Sequence, residues 1–377
     1  MSMEQPHVIV IGSGPGGLTA SRALARSGLV KVTLIQREGV AQYLPGIIPV
    51  VLGLRPVSVY RSVLRLPHVH ALAGEVVRLQ VGRVTLADGT TLVADAVIAA
   101  PGLVSDVLVS STGSQHFAIW ELNAASVASQ AVQSLPSGRL VVAISSLPYR
   151  CPPAPYGLAI ALQSLMQERG CPVEVILATP EQRPLQSLGE RASTFLEGLM
   201  SEGKVTLHTG FHLDAAASHN GLLVATDGRR LPYDLGLIVP PHRRPAFLAD
   251  LPGNGVLVQV DASQRTAMDK TWVVGDVAAT PLPRASGVAE AQGRTAAEAV
   301  LAALGLRDAQ APIIPTPTCY VWTGRANAAR IQLQFPNSLP PVGKPDVILD
   351  APSPTLFTEA LHASTLWMDQ LEKERVE

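Results

Sequence analysis

The sequence predicts a mixed α/β protein in which a second α/β unit is inserted into a first one. Three observations support this fold. Residues 8–11 and 31–35 are buried-strand signals separated by a glycine-rich turn and a helix. Residues 140–144 and 173–177 repeat the strand–helix–strand pattern later in the chain. Residues 271–276, which precede an alanine-rich helix, return the chain to the first unit.

Length and composition describe a folded protein with a large core. The chain has 377 residues, of which 47% are hydrophobic and 16% are charged, enough for two or three domains. A net charge of −1 provides no basic excess to neutralise phosphates, which argues against nucleic acid as the main partner. The first residues lack the features of a secretory signal and no apolar run reaches membrane-spanning length, so we expect a cytoplasmic protein.

The predicted domain organisation follows from the two units. Residues 1–105 and 246–305 form a discontinuous first domain, residues 106–245 an inserted Rossmann-like domain, and residues 306–377 a C-terminal segment. The last segment contains an amphipathic helix, with apolar residues at 357, 360, 361, 367, 368 and 371. We expect this face to dock on the domain or on a second subunit. Peripheral contact with a membrane is the alternative, which the sparse basic residues on its polar face weaken.

The first strand runs into a G-x-G-x-x-G turn that is typical of a dinucleotide site. Gly12 permits the sharp turn, Gly14 lets the backbone approach a pyrophosphate, and Gly17 lets the helix pack close to the strand. The helix is expected over residues 18–27, with its N-terminus facing the phosphates and Gly28 at its end. A glycine-rich turn without a ligand is the alternative.

The end of the second strand departs from the usual pattern. An acidic residue there normally accepts hydrogen bonds from the ribose hydroxyls, but this chain has Gln36. Its amide oxygen can still accept, without the charge that strengthens such bonds. The neighbouring Arg37 would favour a phosphate, yet the adenosine of FAD is the ligand that the pattern favours. Residues 43–52, apolar and broken by prolines, predict irregular structure that lines a flavin or quinone path or serves only for packing.

Two later strand ends add candidates for cofactor binding. Residues 94–102 end in small residues, which suits close approach of the backbone to a cofactor. An aspartate before the helix expected at 284–304 is well placed for the sugar-alcohol chain of a flavin, although a simple helix cap is the alternative. No metal site is predicted. The predicted cofactor-binding residues are Gly12, Gly14, Pro15, Gly17, Gln36, Arg37, Gly102, Gly275, Asp276 and Ser286.

The loop after residues 140–144 decides whether the second unit binds a nucleotide. A second dinucleotide site would need another glycine motif, but residues 145–153 read Ser-Ser-Leu-Pro-Tyr-Arg-Cys-Pro-Pro. Proline lacks the N–H that binds a pyrophosphate, and side chains occupy the space that glycines would leave. We therefore expect that no NAD(P)H binds there in the usual manner.

This loop carries the cysteine that is the main candidate for chemistry. Cys151 lies beside the N-terminus of the following helix, where the local field lowers the pKa of a thiol. Three cysteines are too few for a disulfide scaffold, so a bridge would be redox-active. A buried free thiol is the alternative for Cys151. Cys171 is predicted to be inert core, and His242, at a strand end, is predicted to be structural.

Several segments together resemble a known family. The most specific is the proline-flanked cysteine segment, Pro148-Tyr-Arg-Cys-Pro-Pro-Ala-Pro-Tyr156. The others are residues 12–17, 239–242, 274–276, 289–293 and the Cys319-Tyr-Val motif. Over nearly its whole length the chain resembles the sulfide:quinone oxidoreductases and the flavoproteins of flavocytochrome c sulfide dehydrogenase, within the FAD-dependent pyridine nucleotide-disulfide oxidoreductases.

The resemblance implies two tandem dinucleotide-type domains, with FAD held against a cysteine pair. By this similarity Cys151 and Cys319 are the catalytic redox pair. Members of the family oxidise sulfide and pass the electrons to quinone or to a haem subunit. The implied partners are therefore a small sulfur substrate and a quinone or an electron-acceptor protein.

Three departures from the family qualify this expectation. Similar proteins carry a glutamate after the Pro-Tyr of the cysteine loop, where this chain has Gly157. No additional cysteine lies near Trp120, and residues 40–55 contain none to attach FAD, so the FAD is expected to be non-covalent. Two alternatives stay open: a divergent reductase for another thiol, persulfide or quinone, and a non-catalytic flavin-binding subunit.

Overall fold

The computed structural model describes residues 5–106, 115–335 and 345–374. In chain order the strands of its first half are β1 His7–Ile11, β2 Lys31–Gln36, β3 Val40–Gln42, β4 Arg61–Val63, β5 Val69–Ala73, β6 Val76–Gln80, β7 Arg83–Leu86, β8 Thr91–Val93, β9 Ala96–Ala99, β10 Val104–Ser105, β11 His116–Ala118, β12 Gly138–Ile144 and β13 Val173–Ala178.

The remaining strands are β14 Thr206–His208, β15 Leu222–Val224, β16 Arg230–Pro232, β17 Leu235–Val239, β18 His242–Arg243, β19 Gly253–Asn254, β20 Leu257–Gln259, β21 Thr271–Val273, β22 Ala278–Ala279, β23 Thr318–Trp322, β24 Ala328–Gln334 and β25 Asp346–Ser353. The α-helices are α1 Pro15–Ser27, α2 Ile47–Val51, α3 Leu122–Ser134, α4 Ala154–Glu168, α5 Glu190–Glu202, α6 Ser286–Ala303 and α7 Pro354–Glu374.

Two parallel five-stranded sheets organise the molecule. The first has the order β21-β9-β1-β2-β5, and the second has the order β11-β17-β12-β13-β14. The strands of the second sheet fall between β9 and β21 of the first, as expected for an inserted unit. The central strands are buried on both faces, which is why they read as continuous apolar runs. The predicted α/β class is confirmed.

The first helix ends where its sequence predicted. Gly28 adopts a left-handed conformation with φ of 67° and its N–H bonds to the carbonyl of Ala25, a frequent helix C-terminus. The turn at Gly89, with φ of 87°, joins β7 to β8 in a three-stranded antiparallel sheet.

Two parts of the chain are more regular than the sequence indicated. Within residues 43–52 the segment Ile47–Val51 forms a helix, and Val69–Ala73 is the edge strand of the first sheet, parallel to β2. The C-terminal segment also contains the antiparallel sheet β23-β24-β25, which the prolines around it conceal in the sequence. Pairing with distant strands, rather than local propensity, makes these segments regular.

The C-terminal helix α7 docks on the first domain with its apolar face. Trp367 stacks on Tyr43 with ring centroids 5.1 Å apart, and Phe357 meets Trp322 edge-on at 5.5 Å. The hydroxyls of Ser364 and Tyr60 are hydrogen-bonded at 3.1 Å. The expectation of docking on the domain is therefore met within the chain. Among the described residues no helix has the length and hydropathy of a membrane span.

Helices α1 and α6 approach each other closely because glycines meet at their contact. A Cβ on Gly293 of α6 would collide with the carbonyl oxygen of Gly16 in α1, and a Cβ on Gly16 would lie 3.0 Å from the carbonyl oxygen of Ala289. This contact draws the start of α6 towards the glycine-rich turn. It therefore aligns the two helix N-termini at one edge of the first sheet.

The substitution Gly293→Ala tests this contact. We expect it to lower the free energy of unfolding by about 1–3 kcal/mol, because the added methyl group overpacks the helix contact. The control is Gly198→Ala in α5, where an added Cβ meets no atom within 4 Å. It should be neutral, or stabilising by about 0.5–1 kcal/mol, since alanine is the better helix former. Urea unfolding measures both; equal effects would contradict the contact.

Candidate active site

The candidate site lies at the carboxyl ends of β1, β9 and β21, three neighbouring strands of the first sheet. The space at these strand ends is called the cleft below. Gly12 follows β1 with φ of 99°, and a Cβ there would collide with the carbonyl oxygen of Ala100, just beyond β9. Gly17 is equally confined, because a Cβ on it would collide with the carbonyl oxygen of Gly12. The glycines thus let three strand ends meet, and such an edge is where α/β proteins bind ligands.

Gly14 is different, because the space in front of it is open. It precedes α1 in an extended conformation, and a Cβ on it would meet no atom within 4 Å. Pro15 is the first residue of α1, and no side chain caps this helix N-terminus in the described structure. The first amides of a helix lack partners within the helix and bind anions well. An open cradle facing uncapped amides suits the pyrophosphate of FAD.

The other predicted cofactor residues lie around the same edge. Gly102 follows β9 with φ of 67° and open space at its Cβ position. The N–H of Gly275, beyond β21, donates to Oε1 of Gln292 at 2.7 Å. Asp276 is next in the chain and half-buried, and Ser286 is the first residue of α6.

Gln36 and Arg37 stand at the end of β2. The amide nitrogen of Gln36 donates to the carbonyl of Val40 at 3.1 Å, which sets the orientation of the side chain. Arg37 is exposed. The structure places both at the sheet edge used by the glycine motif, and their part in binding a nucleotide stays a prediction.

The structure brings Cys151 and Cys319 together across 168 residues of sequence, since the two thiols interact electrostatically. Cys151 precedes α4, and Cys319 lies on β23, which packs against that helix. The N–H of Cys151 donates to the carbonyl of Arg284, just before α6, at 3.0 Å. The carboxyl of Asp276 also acts on the Cys151 thiol. The cysteine pair therefore lies beside the cleft of the glycine motif, and Cys171 is not part of it.

The predicted activation of Cys151 by the helix field is wrong, because burial acts in the opposite direction. Burial raises the pKa of the Cys151 thiol far above its usual range, and the nearby Cys319 and Asp276 raise it further. Burial likewise raises the pKa of Cys319 to about 11. The helix begins only at Ala154, so Cys151 stands outside its first turn, and the field falls off over such a distance. Desolvation outweighs the dipole here.

Two arginines that sequence reasoning missed surround Asp276. Burial raises the pKa of the Asp276 carboxyl, while Arg150 and Arg284 lower it. Nε of Arg150 donates to Nε2 of His242 at 3.1 Å, and Nη2 of Arg150 donates to the carbonyl of Trp120 at 3.1 Å. Arg150 precedes Cys151 in the chain, and this adjacency was the one signal that could have singled it out.

His242 holds a structural position in this cluster. Burial, with Arg150 and Arg284 next, lowers the pKa of His242 to about 3, so the ring is neutral. Because its Nε2 accepts from Arg150, the proton is on Nδ1, and that atom has no partner among the described residues.

Tyr43 is a further residue of the site that the sequence did not single out. Burial raises the pKa of Tyr43 to about 12, and its hydroxyl is hydrogen-bonded to Ser286. Both cysteines and Glu290 act on this hydroxyl electrostatically. Because Trp367 of α7 stacks on the ring, the C-terminal helix covers this side of the cysteine pair.

The packing around Gly157 leaves no room for the glutamate that the family resemblance leads us to expect at this position. A Cβ on Gly157 would lie 2.8 Å from the backbone nitrogen of Trp322 and 3.3 Å from Cα of Val321. Helix α4 therefore rests directly on the backbone of the strand that bears Cys319. The absence of a side chain is a packing requirement of this chain.

Comparison with known proteins agrees with this geometry. Residues 6–143 match the family model described as pyridine nucleotide-disulphide oxidoreductase. The match covers the N-terminal part of the chain. The match runs from β1 to β12 and includes the whole glycine motif. With the structural likeness below, it confirms the resemblance noted from the sequence and supports the FAD-dependent oxidoreductase superfamily.

Three solved structures illustrate the likeness. The sulfide:quinone oxidoreductase of Aquifex aeolicus has a TM-score of 0.85 at 17% identity, covering 98% of this chain and 92% of that one. A chain of the Tetrahymena thermophila mitochondrial ATP synthase has a TM-score of 0.78 at 14% identity, covering 99% and 97%. An NAD-dependent persulfide reductase from A. fulgidus has a TM-score of 0.66 at 17% identity, covering 88% and 64%. At these identities the likeness shows the fold.

The burial of the pair predicts how the thiols react with pH. In reduced protein we expect alkylation of Cys319 by iodoacetamide to rise about tenfold per pH unit from pH 8 to pH 10, because only the thiolate reacts and its pKa is about 11. Mass spectrometry of the Cys319 peptide measures the rate, with urea-unfolded protein as the control. A plateau near pH 9 in the folded protein would contradict the raised pKa.

Proposed function

We propose that the protein is an FAD-dependent oxidoreductase that oxidises sulfide or a related sulfur nucleophile through Cys151 and Cys319. The electrons pass to a quinone or to another acceptor. The observation that carries the proposal is the meeting of these two cysteines beside the cleft that contains the glycine motif and Asp276. Two thiols so far apart in sequence come together only through the fold.

The cleft suits FAD bound without a covalent bond. Gly14 and the uncapped start of α1 would receive the pyrophosphate, and Asp276 would accept hydrogen bonds from the sugar-alcohol chain. Arg150 and Arg284 add positive charge next to Asp276, on the side of the cysteines. FAD, when bound, supplies an acceptor for the two electrons that the sulfur chemistry releases.

The reaction of the chain's own residues starts from a disulfide between Cys151 and Cys319. A sulfide anion attacks one sulfur, the S–S bond breaks, and the products are a persulfide on that cysteine and a thiolate on the other. The charge of this thiolate is unfavourable in a buried site, as the raised pKa values show. The thiolate is therefore a strong electron donor, which favours its oxidation by a bound acceptor.

A second candidate is a divergent reductase that acts on another thiol or persulfide. The packing of Gly157 against Trp322 favours it, because the side chain that family members place at this point has no room here. The proton acceptor for a small sulfur substrate must therefore come from another residue or from water. The two candidates share the cysteine pair and differ in the substrate.

The substitution Gly14→Val tests the cofactor site. We expect FAD uptake to fall at least tenfold, because the added side chain fills the cradle, while the melting temperature of the apoprotein stays unchanged since that space is open. Gly198→Val, which also points into open space, should keep full FAD binding. Titration of apoprotein with FAD, followed by flavin fluorescence, measures both. Undiminished binding by Gly14→Val would remove the cofactor assignment.

The cysteine pair is tested by the anaerobic flavin spectrum after addition of sulfide. We expect bleaching in the wild-type protein and at least a hundredfold slower bleaching in Cys151→Ser and Cys319→Ser, because neither can form the disulfide. Cys171→Ser should bleach at the wild-type rate. Bleaching by small thiols but not sulfide would select the second candidate. Rapid bleaching by NADH, or full activity of Cys151→Ser, would contradict the proposal.

A further inference from the structure

The second sheet carries a buried carboxyl group at the edge where a dinucleotide would bind. Glu181 follows β13, and the cysteine loop follows β12, the parallel neighbour of β13. In a dinucleotide-binding unit an acidic residue after the second strand accepts hydrogen bonds from the ligand's ribose. Here Glu181 is only 5% exposed, and its partners are groups of the protein, including two tyrosine side chains and the backbone of Leu185.

Two tyrosines of the cysteine loop point their hydroxyls at this carboxyl group. The hydroxyl of Tyr149 donates to Oε2 of Glu181 at 2.9 Å, and the hydroxyl of Tyr156 is hydrogen-bonded to the same oxygen. The hydroxyl of Thr179 accepts from the backbone N–H of Glu181 at 3.2 Å. Both tyrosines are buried, so the cluster is enclosed by protein and fills the edge of the sheet.

The tyrosines stand on opposite sides of Cys151 in the chain. Tyr149 precedes Cys151 by two residues, and Tyr156 lies in the first turn of α4. Glu181 is therefore hydrogen-bonded to one residue before the cysteine and to one residue after it. The hydroxyl of Tyr149 also lies 3.1 Å from the carbonyl of Pro152. No other side chain in the described structure bonds to both flanks at once.

Cys151 needs such an anchor because its backbone is strained. Its φ is 52°, a left-handed conformation that costs a residue with a Cβ free energy. A strained conformation persists only where the surroundings hold it. The bond from Cys151 N–H to Arg284 and the bond from the Trp120 indole to the Arg150 carbonyl hold the chain before α4. The carboxyl group of Glu181 also holds the loop, through its hydrogen bonds with Tyr149 and Tyr156.

We propose that Glu181 is a positioning residue for Cys151, which it holds in place opposite Cys319 through Tyr149 and Tyr156. Glu181 occupies the position at which a dinucleotide-binding unit would bind its ligand. Its carboxyl group holds the cysteine loop instead. The proposal rests on the function proposed above for the cysteine pair. It concerns the position of the thiol, which can be measured without any flavin or sulfide.

The test compares alkylation of Cys151 in reduced wild-type protein and in Glu181→Gln. The amide keeps the shape but carries no negative charge, so both tyrosine bonds to the shared oxygen become weaker. We expect iodoacetamide to react with Cys151 about tenfold faster, with Cys171 in the same molecule unchanged as the internal reference. Glu174→Gln is the matched control: Glu174 is exposed, lies on β13, the strand before Glu181, and pairs with Arg139 at 3.3 Å, so this variant should behave as wild type.

The tyrosine variants keep the proposal testable if Glu181→Gln fails to fold. Tyr149→Phe and Tyr156→Phe should each raise the alkylation ratio of Cys151 to Cys171, and the double variant should match Glu181→Gln. A drop in melting temperature with an unchanged ratio would overturn the proposal, since a purely structural carboxyl has that effect. If the wild-type protein fails to react with sulfide while the ratio still changes, the function fails and the positioning role stands.

Discussion

The direct contact between helix α4 and the backbone of β23 is the constraint on which the site depends. Gly157 allows it, because any side chain there would press on the backbone at Trp322. This contact sets the distance between the loop before α4 and the strand that carries Cys319. It thereby brings the thiol of Cys151, in the inserted unit, close to the thiol of Cys319, in the C-terminal segment. The same contact leaves no room for a side chain at residue 157, where the family resemblance leads us to expect a glutamate.

Glycines shape the other side of the cleft in the same way. The collision of a Cβ on Gly293 with Gly16 shows that α6 is pressed against α1, and Gly12 lets the first strand end against Ala100. Gly14 and Gly102, by contrast, face open space. The absence of a side chain therefore has two uses in this protein. At most of these glycines it lets two elements pack closely, and at Gly14 it leaves room for a ligand.

Burial dominates the electrostatics of the site. The pKa of each cysteine and of Asp276 is raised by desolvation, and the pKa of His242 is lowered by it. Each shift favours the neutral form, as expected where charge is poorly solvated. Burial also lowers the pKa of Arg150 and Arg284, and the nearby Asp276 opposes that shift in both. In the proposed function, reactivity is therefore stored in a disulfide rather than in a free thiolate.

Local sequence determined the α/β class, the first helix with its glycine end, and the glycine turn, because these depend on residues a few positions apart. It also indicated Cys151 and, through family resemblance, its pairing with Cys319. Tertiary structure alone decided the edge strand Val69–Ala73 and the C-terminal sheet, since both need distant strands as partners. It also decided the pKa of Cys151, the place of Tyr43 and the bond from Glu181 to the cysteine loop. Burial and long-range contact are properties of the folded chain, and no short window of sequence contains them.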